Sequence, residues 1–351
     1  MMPRSTNKLS LILRYSAWTV LTVLVIVVLL ADFIAPYDYT AQTRSLPSAP
    51  PSPIHFVGED GKFHSRPFIY EQVLSDPLFA KFTEDRDTKY ELGLFVAGDT
   101  YKFLGLFPAQ TRLFGIESRG RAEVKVNLLG TDPLGRDRFS RLVEAIRFSL
   151  IVCPLGALLA WLIGLAIGMI SGYSGRVPDT IIMGVADSML ALPALVVILA
   201  VRAAFPPELP PLRAASLLVI IFAFTGWAEI ARLTRGLVRS LREREFILAA
   251  RSIGLSETRI LLRHILPNAL PSIAAQAAVM LPYFLLSEVA LSFLGVGLQE
   301  PQPSLGNMLS AAADINRLQR DPVLLLLPAV VIALFVLSIG IVKQNISAAE
   351  N

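Results

Sequence analysis

The sequence predicts an all-α polytopic membrane protein with about six transmembrane helices, short cytoplasmic helices and a small extracytoplasmic insertion. Hydrophobic residues make up 54% of the chain and charged residues only 17%. The mean hydropathy is +0.57, far from the average of soluble proteins. Several apolar runs are long enough to cross a bilayer. The single cysteine, Cys153, lies in such a run, which excludes a disulfide framework or a cysteine-rich metal site within the chain.

The first apolar run, from Tyr15 to Ile34, follows basic residues and is about long enough to span the membrane. No A-x-A-like cleavage site follows it, so we interpret it as a first span with its N-terminus inside rather than a signal peptide. The predicted organisation is therefore a cytoplasmic N-terminus and first helix in residues 1–35, an extracytoplasmic insertion in 36–147, and five further helices in 148–351.

The insertion opens with a proline-rich linker and continues with β-prone pieces. Residues 55–63 resemble a hairpin turning at Asp60 and Gly61, and residues 101–126 contain short strands separated by Gly and Pro. His55 and His64 suggest a metal site only weakly, because no other residue has ligand spacing. Ordinary surface histidines are the favoured interpretation.

The insertion ends in the string Leu129-Gly-Thr-Asp-Pro-Leu-Gly-Arg-Asp137. Asp132 is suited to an N-cap with Pro133 in the first helical turn, and Arg136 is placed to pair with it. Catalysis by Asp132 and Asp137 is the alternative, and a structural cap is favoured.

The second predicted span, residues 148–173, carries small residues at intervals of four, which favours close packing of another helix. The alternative is simply a glycine-rich span. The stripe consists of Gly156, Ala160, Gly164, Gly168 and Gly172. Later spans are predicted near residues 180–204, 214–230, 269–294 and 323–341.

Between the fourth and fifth spans lies an arginine-rich loop, residues 232–268. Helix formers run to Ile253, Gly254 offers a left-handed stop, and Ser256 is placed to cap a second short helix with Glu257 in its first turn. Each helix has an apolar and a basic face. The apolar positions are Phe246, Ile247, Ala250 and Ile253 on the first helix, and Ile260, Leu261 and Ile265 on the second.

This loop resembles that of bacterial ABC importer permeases, which reads E-A-A-x-x-x-G and then x-x-L-P. Leu248 stands at the position of the Glu. The strings around residues 129–137, 288–297 and 301–306 resemble the dipeptide, oligopeptide and nickel permease branch of the same family. The resemblance implies that loop 232–268 couples to the ATPase through Ala249, Ala250, Gly254, His264, Pro267 and Asn268.

The resemblance further implies transport of peptides or peptide-like substrates across the inner membrane, driven by ATP hydrolysis on partner subunits. The implied partners are a second homologous permease subunit, two ATPase subunits and an extracytoplasmic substrate-binding protein, with no nucleic acid. The chain has no G-x-x-x-x-G-K-[ST] loop, so it is not the hydrolysing subunit. No catalytic residue, metal or cofactor is expected. Alternatives are an ion-coupled secondary transporter, which inverted repeats would indicate, and a membrane-anchored sensor or assembly protein.

Charge decides the expected orientation. Eight arginines lie between residues 232 and 263, against few basic residues in the short loops on the other side. Both termini are therefore expected in the cytoplasm of a multi-pass inner-membrane protein. Asp187 and Glu288 fall inside predicted spans, where an ionised group costs about 3 kcal/mol. They either line a translocation pathway and bind a substrate amine, or tie neighbouring helices together.

Overall fold

The computed structural model describes residues 8–58, 61–76, 80–116, 124–206 and 208–349. The chain divides into two compact units. One contains Met1–Leu21, Ser149–Gln299 and Ala329–Asn351, and the other contains Thr22–Phe148 and Glu300–Pro328.

The long helices confirm the predicted fold class. They are α1 (Lys8–Leu29), α3 (Arg138–Tyr173), α4 (Arg176–Ala191), α5 (Ala194–Ala203), α6 (Pro211–Arg242), α9 (Leu266–Phe293) and α12 (Pro322–Ala349). Within the described residues, five helical segments are long and apolar enough to cross a membrane, or six if α4 and α5 are counted as one broken span. The shorter helices are α2 (Ala31–Ile34), α7 (Glu245–Ser252), α8 (Glu257–Ile260), α10 (Leu305–Ser310) and α11 (Ile315–Arg320).

The third span is not the continuous helix that hydropathy suggests. α4 and α5 meet at 87°. Leu192 is extended at ψ 137° and is followed by Pro193. A proline disfavours helical backbone in the residue before it, so the chain turns here although both sides are apolar.

Helix α6, which contains the fourth predicted span, continues to Arg242, well past the predicted end at residue 230. Its last turns carry arginines, which suit the negative end of a helix dipole. Phe222 of α6 stacks on Phe284 of α9 with ring centroids 4.7 Å apart, which places these two helices together in the core of their unit.

The insertion forms a four-stranded antiparallel sheet in the order β1-β2-β3-β4. The strands are β1 (His55–Val57), β2 (Phe63–Asp76), β3 (Lys81–Phe103) and β4 (Phe107–Ile116). β1 and β2 confirm the predicted hairpin, with Gly61 at φ +70°, while Asp60 lies outside the described residues. β3 is 23 residues long, far longer than the short pieces that the sequence suggests. His55 Nε2 lies 2.7 Å from Glu84 Oε1, within hydrogen-bonding distance.

Candidate coupling and translocation site

The loop between α6 and α9 is built around a glycine turn. After α7, Gly254 adopts φ +82° and its N–H donates to the Arg251 carbonyl at 2.9 Å. Positive φ strains any residue with a Cβ, which explains the glycine. Ser256 then stands at the N-cap position of α8 with extended backbone, but its side chain makes no capping hydrogen bond. The predicted Ser256 side-chain cap is therefore wrong.

The second helix of the loop is not a separate element. α8 passes through a π-helical turn, Leu261–Ile265, directly into α9, so that Glu257–Phe293 is one helical segment of 37 residues. Pro267 in the first turn of α9 has no N–H, and its ring would clash with a carbonyl one regular turn earlier. The wider π turn relieves this conflict, and Asn268 Nδ2 donates to the His264 carbonyl at 2.6 Å.

The loop packs one apolar face on its own chain. Ile247, Ala250, Ile260 and Ile265 are buried together with Val238 of α6. Ala250, one of the residues through which the resemblance implies coupling, is therefore covered by its own chain. The helical period placed Ile247 and Ala250 on an apolar face, but it could not say which molecule covers that face.

The outer face of α7 remains apolar and exposed. Phe246 is 45% exposed, Leu248 49% and Ile253 77%, and Ala249 is exposed beside them. Leu248 borders a cavity of about 470 Å³ whose other lining residues are Arg239, Arg242, Glu243 and Arg251. Leu248 beside three guanidinium groups fits a partner surface that is apolar with an acidic rim.

Ion pairs hold this basic surface in place. Arg251 forms two hydrogen bonds with Glu257, at 2.9 and 3.1 Å, and these raise the pKa of Arg251 above its ordinary value. The Tyr173 hydroxyl also donates to Glu257, and the Arg242 guanidinium lies 4.5 Å from the centre of the Tyr173 ring. The contacts join the two sides of the glycine turn to the end of α3.

A buried carboxylate ties α4 to the arginines of α6. Asp179 accepts hydrogen bonds from Arg235 Nε and Nη2, both at 2.7 Å, from Arg239 Nη2 at 2.6 Å and from Ser171 Oγ at 2.6 Å. Two of the eight arginines between residues 232 and 263 therefore form ion pairs within the chain. Sequence reasoning missed this cluster, and the one available signal was an acidic residue directly after Pro178 at a helix start.

The glycine stripe of α3 lies against α6. A Cβ built on Gly164 would lie 2.6 Å from Ile230 Cβ, and one on Gly168 would lie 2.5 Å from the Ala231 carbonyl oxygen. Gly156 and Gly172 similarly face Phe222 and Val238. The two backbones approach too closely for larger residues.

The two predicted membrane acids lie in different environments. Asp187 is exposed and its Oδ1 lies 3.4 Å from Arg232 Nη1. Glu288 is fully buried and accepts hydrogen bonds from Ser149 Oγ at 2.9 Å and Ser292 Oγ at 2.8 Å.

A third membrane acid, Glu229 of α6, escaped the sequence reasoning because it sits at the edge of the predicted span. Gln276 Nε2 donates to its Oε1 at 2.6 Å. Both residues line a cavity of about 280 Å³ beside the α4–α5 break, with Tyr283 and Phe284 among its apolar walls.

The Leu129–Asp137 string forms a tight turn rather than the first helical turn. Asp132 Oδ1 accepts the N–H groups of Leu134 and Arg136 at 2.9 Å, and Oδ2 pairs with Arg136 Nε at 2.6 Å. Asp137 is the residue that caps α3, accepting the Ser140 N–H at 2.8 Å. Asp132 as N-cap is therefore wrong, because Gly135, at φ +74°, turns the chain first.

The same string meets the segment after α9. Arg136 Nη1 lies 2.5 Å from Glu300 Oε2, and Arg141 Nη2 lies 2.8 Å from Glu300 Oε1. Arg136 of the 129–137 string therefore pairs with Glu300, the residue directly before the 301–306 string. Among the described residues, no group of three His, Cys, Asp or Glu side chains is arranged to hold a metal ion.

Residues 164–349 match a family described as binding-protein-dependent transport system inner membrane component. This chain belongs to that family. It is an integral inner-membrane permease component of an ABC transporter, a class of subunit that is not itself catalytic and that works with an ATPase and a substrate-binding protein.

Two peptide permeases are similar to this chain in sequence. The dipeptide transport system permease protein DppC of Alkalihalophilus pseudofirmus is 38% identical over 220 residues, 63% of this chain and 70% of that protein. The oligopeptide transport system permease protein OppC of Bacillus subtilis is 36% identical over 186 residues, 53% of this chain and 59% of that protein. A solved chain of the inward-facing MetNI methionine ABC transporter has a TM-score of 0.46 and 17% identity, covering 61% of this chain and 97% of its own.

Proposed function

We propose that this chain is the permease subunit through which an ABC importer moves peptides or peptide-like substrates across the inner membrane. The dipeptide and oligopeptide relatives support the substrate class. The observation that carries the mechanism is the exposed apolar group Phe246, Ala249 and Ile253, on a loop whose other face packs against its own spans. A helix held in this way transmits a push from a docked partner to α6 and α9.

The proposed assembly contains a second homologous permease subunit, two ATPase subunits and an extracytoplasmic binding protein. Closure of the ATPase pair moves the coupling loops, and the spans alternate between outward and inward openings. In this proposal Phe246, Ala249 and Ile253 contact the ATPase. Gly254 sets the angle between the loop segments, while Ala250, His264, Pro267 and Asn268 shape the loop from within.

Docking is tested by introducing a glutamate at each of two exposed apolar positions and measuring which ATPase subunits co-purify. Ile253→Glu puts a charge on the proposed ATPase contact, and Leu212→Glu puts the same charge at the start of α6, where Leu212 is 81% exposed. We expect Ile253→Glu to lose co-purifying ATPase subunits and Leu212→Glu to retain them. Equal retention by both variants would refute the proposed contact.

Gly254→Val tests transmission separately from docking. A Cβ at Gly254 meets nothing within 4 Å, but φ +82° is strained for valine, so the cost falls on the turn rather than on packing. The variant should keep its ATPase subunits and binding-protein affinity while ATP hydrolysis and uptake become uncoupled. Normal coupling in this variant would show that the turn angle does not transmit the movement.

The translocation pathway is proposed to run along the exposed polar groups of α4, α6 and α9. Asp187, Glu229 and Gln276 are exposed or half-buried on helices that cross the membrane, where lipid contact would be costly. Water or substrate along this face removes that cost. Glu288 is assigned a structural role, because its side chain is fully buried and bound to two serines.

Glu229→Leu should lower uptake several-fold while leaving complex assembly intact, because it removes the charge without adding bulk to the core. Glu208→Leu, which removes an exposed acid outside the helices, is the control and should leave uptake unchanged. Unchanged uptake by the Glu229 variant would exclude it from the pathway.

Both termini are proposed to be cytoplasmic and the insertion extracytoplasmic. A cysteine at Lys62 should react with an impermeant thiol reagent in intact cells, and one at Thr258 should not. Thr258 is exposed and, unlike Glu257, takes no part in the Arg251 ion pair. The opposite labelling would reverse the orientation and remove the coupling role.

A further inference from the structure

The turn between β3 and β4 exposes large apolar side chains. Leu104 is 42% exposed, Leu106 73% and Phe107 64%. Farther along β3, Leu94 is 72% exposed and Phe95 66%. Turns in contact with water usually carry Gly, Asn, Asp or Pro, because these residues suit turn backbones and hydrate well. A hairpin tip of sequence Leu-Gly-Leu-Phe therefore marks a contact surface.

This tip lies beside the end of a membrane helix. The Leu104 N–H donates to Asp32 Oδ2 at 3.3 Å, and Asp32 is only three residues beyond Leu29, where α1 ends. The rings of Phe33 and Phe95 are 6.0 Å apart. The apolar segment of α1, Leu11–Leu29, has 19 residues. It is about 28 Å long at 1.5 Å per residue, close to the hydrocarbon thickness of about 30 Å. A helix of this length just crosses the hydrocarbon, which puts its end at Leu29, and the hairpin tip a few residues beyond, at the boundary.

Buried and charged contacts fix strand β4 to the short helix α2, which follows α1. Arg112 of β4 is 5% exposed, and its Nη1 donates to the Asp32 carbonyl at 2.6 Å and the Ala35 carbonyl at 3.1 Å. Arg147 Nη1 lies 2.7 Å from Asp32 Oδ1. The hairpin is thus fixed to α2, which follows directly after the end of α1.

We infer that the β3–β4 hairpin tip is a membrane anchor, with Leu104, Leu106 and Phe107 seated among the lipid headgroups and outer acyl carbons of the leaflet in which α1 ends. Apolar and aromatic side chains favour this zone. Exposed Lys102 beside the tip is suited to a lipid phosphate. The partner is lipid, because the tip adjoins the end of an apolar candidate span of which only 11% is buried within the chain.

The test measures depth directly with a nitroxide at Leu106→Cys in the full-length chain. The protein is reconstituted in nanodiscs of phosphatidylethanolamine and phosphatidylglycerol. Cys153 is 0% exposed, so the labelled wild type serves as the background control. Val73→Cys is the matched control, because Val73 is 46% exposed and pairs with Thr83 near the opposite end of β3. Phe107→Cys is a second reporter.

Collision with molecular oxygen and with nickel ethylenediamine diacetate distinguishes the environments, because oxygen concentrates in lipid and the nickel complex in water. We expect the oxygen-to-nickel collision ratio to be several-fold higher at residues 106 and 107 than at residue 73. A ratio equal to that at residue 73 would place the tip in water. Low collision with both reagents would place it under a protein partner. Either result overturns the inference.

Discussion

The close contact between α3 and α6 predicts that one methyl group added at this interface lowers the free energy of unfolding. A Cβ on Gly168 would lie 2.5 Å from the Ala231 carbonyl oxygen and 2.6 Å from Thr234 Cβ, whereas ordinary contact begins at 3.4 Å. The helices must therefore separate by about 0.9 Å to accept Gly168→Ala. Because a backbone carbonyl cannot rotate away like a side chain, we expect an overpacking cost of about 1–3 kcal/mol.

Two other helical glycines provide the control. A Cβ on Gly184 of α4 or Gly340 of α12 meets nothing within 4 Å. Alanine gains up to about 1 kcal/mol over glycine in a helix, and this gain is common to all three sites. The difference between Gly168→Ala and the controls is therefore the packing cost itself.

The assay is the free energy of unfolding from SDS titration of the purified chain in mixed micelles. Gly184→Ala and Gly340→Ala should equal or exceed the wild type, and Gly168→Ala should fall below both by about 1–3 kcal/mol. The larger changes Gly164→Leu and Gly168→Leu should prevent the helices from packing at all. If Gly168→Ala is as stable as Gly184→Ala, then the close approach of α3 and α6 is wrong.

Two buried carboxylates give further predictions. Burial raises the pKa of Asp137 to about 6, although the Ser140 N–H and hydroxyl donate to it. Since the unfolded pKa of an aspartate is about 3.9, the contribution of Asp137 to the free energy of unfolding is greatest below about pH 4 and is lost as the pH rises through about 6. Asp137→Asn should make the free energy of unfolding, measured by thermal unfolding, depend less on pH, by on the order of 2–3 kcal/mol between about pH 4 and 6. A slope identical to wild type would contradict the assignment. Glu288→Leu leaves the Ser149 and Ser292 hydroxyls without this acceptor, at about 1–3 kcal/mol each, whereas Glu288→Gln retains an acceptor. Equal unfolding free energies for the two Glu288 variants would exclude the structural role.

Several features of this protein follow from the sequence alone. Hydropathy identifies the spans. Every backbone polar group in lipid must be hydrogen-bonded within its own helix, so each span is a continuous apolar segment of sequence. The positive φ of Gly254, the β1–β2 hairpin and the family membership were also predictable, since each rests on a few adjacent residues.

Other features depend on which distant residues meet. The helical period shows that Ile247 and Ala250 share a face, but only the folded chain shows that Val238 of α6 covers it and leaves Ile253 exposed. The Asp179–Arg235 pair joins residues 56 positions apart, and the Glu229–Gln276 pair joins residues 47 positions apart. A local pattern carries no information about such partners, because the geometry that brings the two helices together is a property of the packed chain.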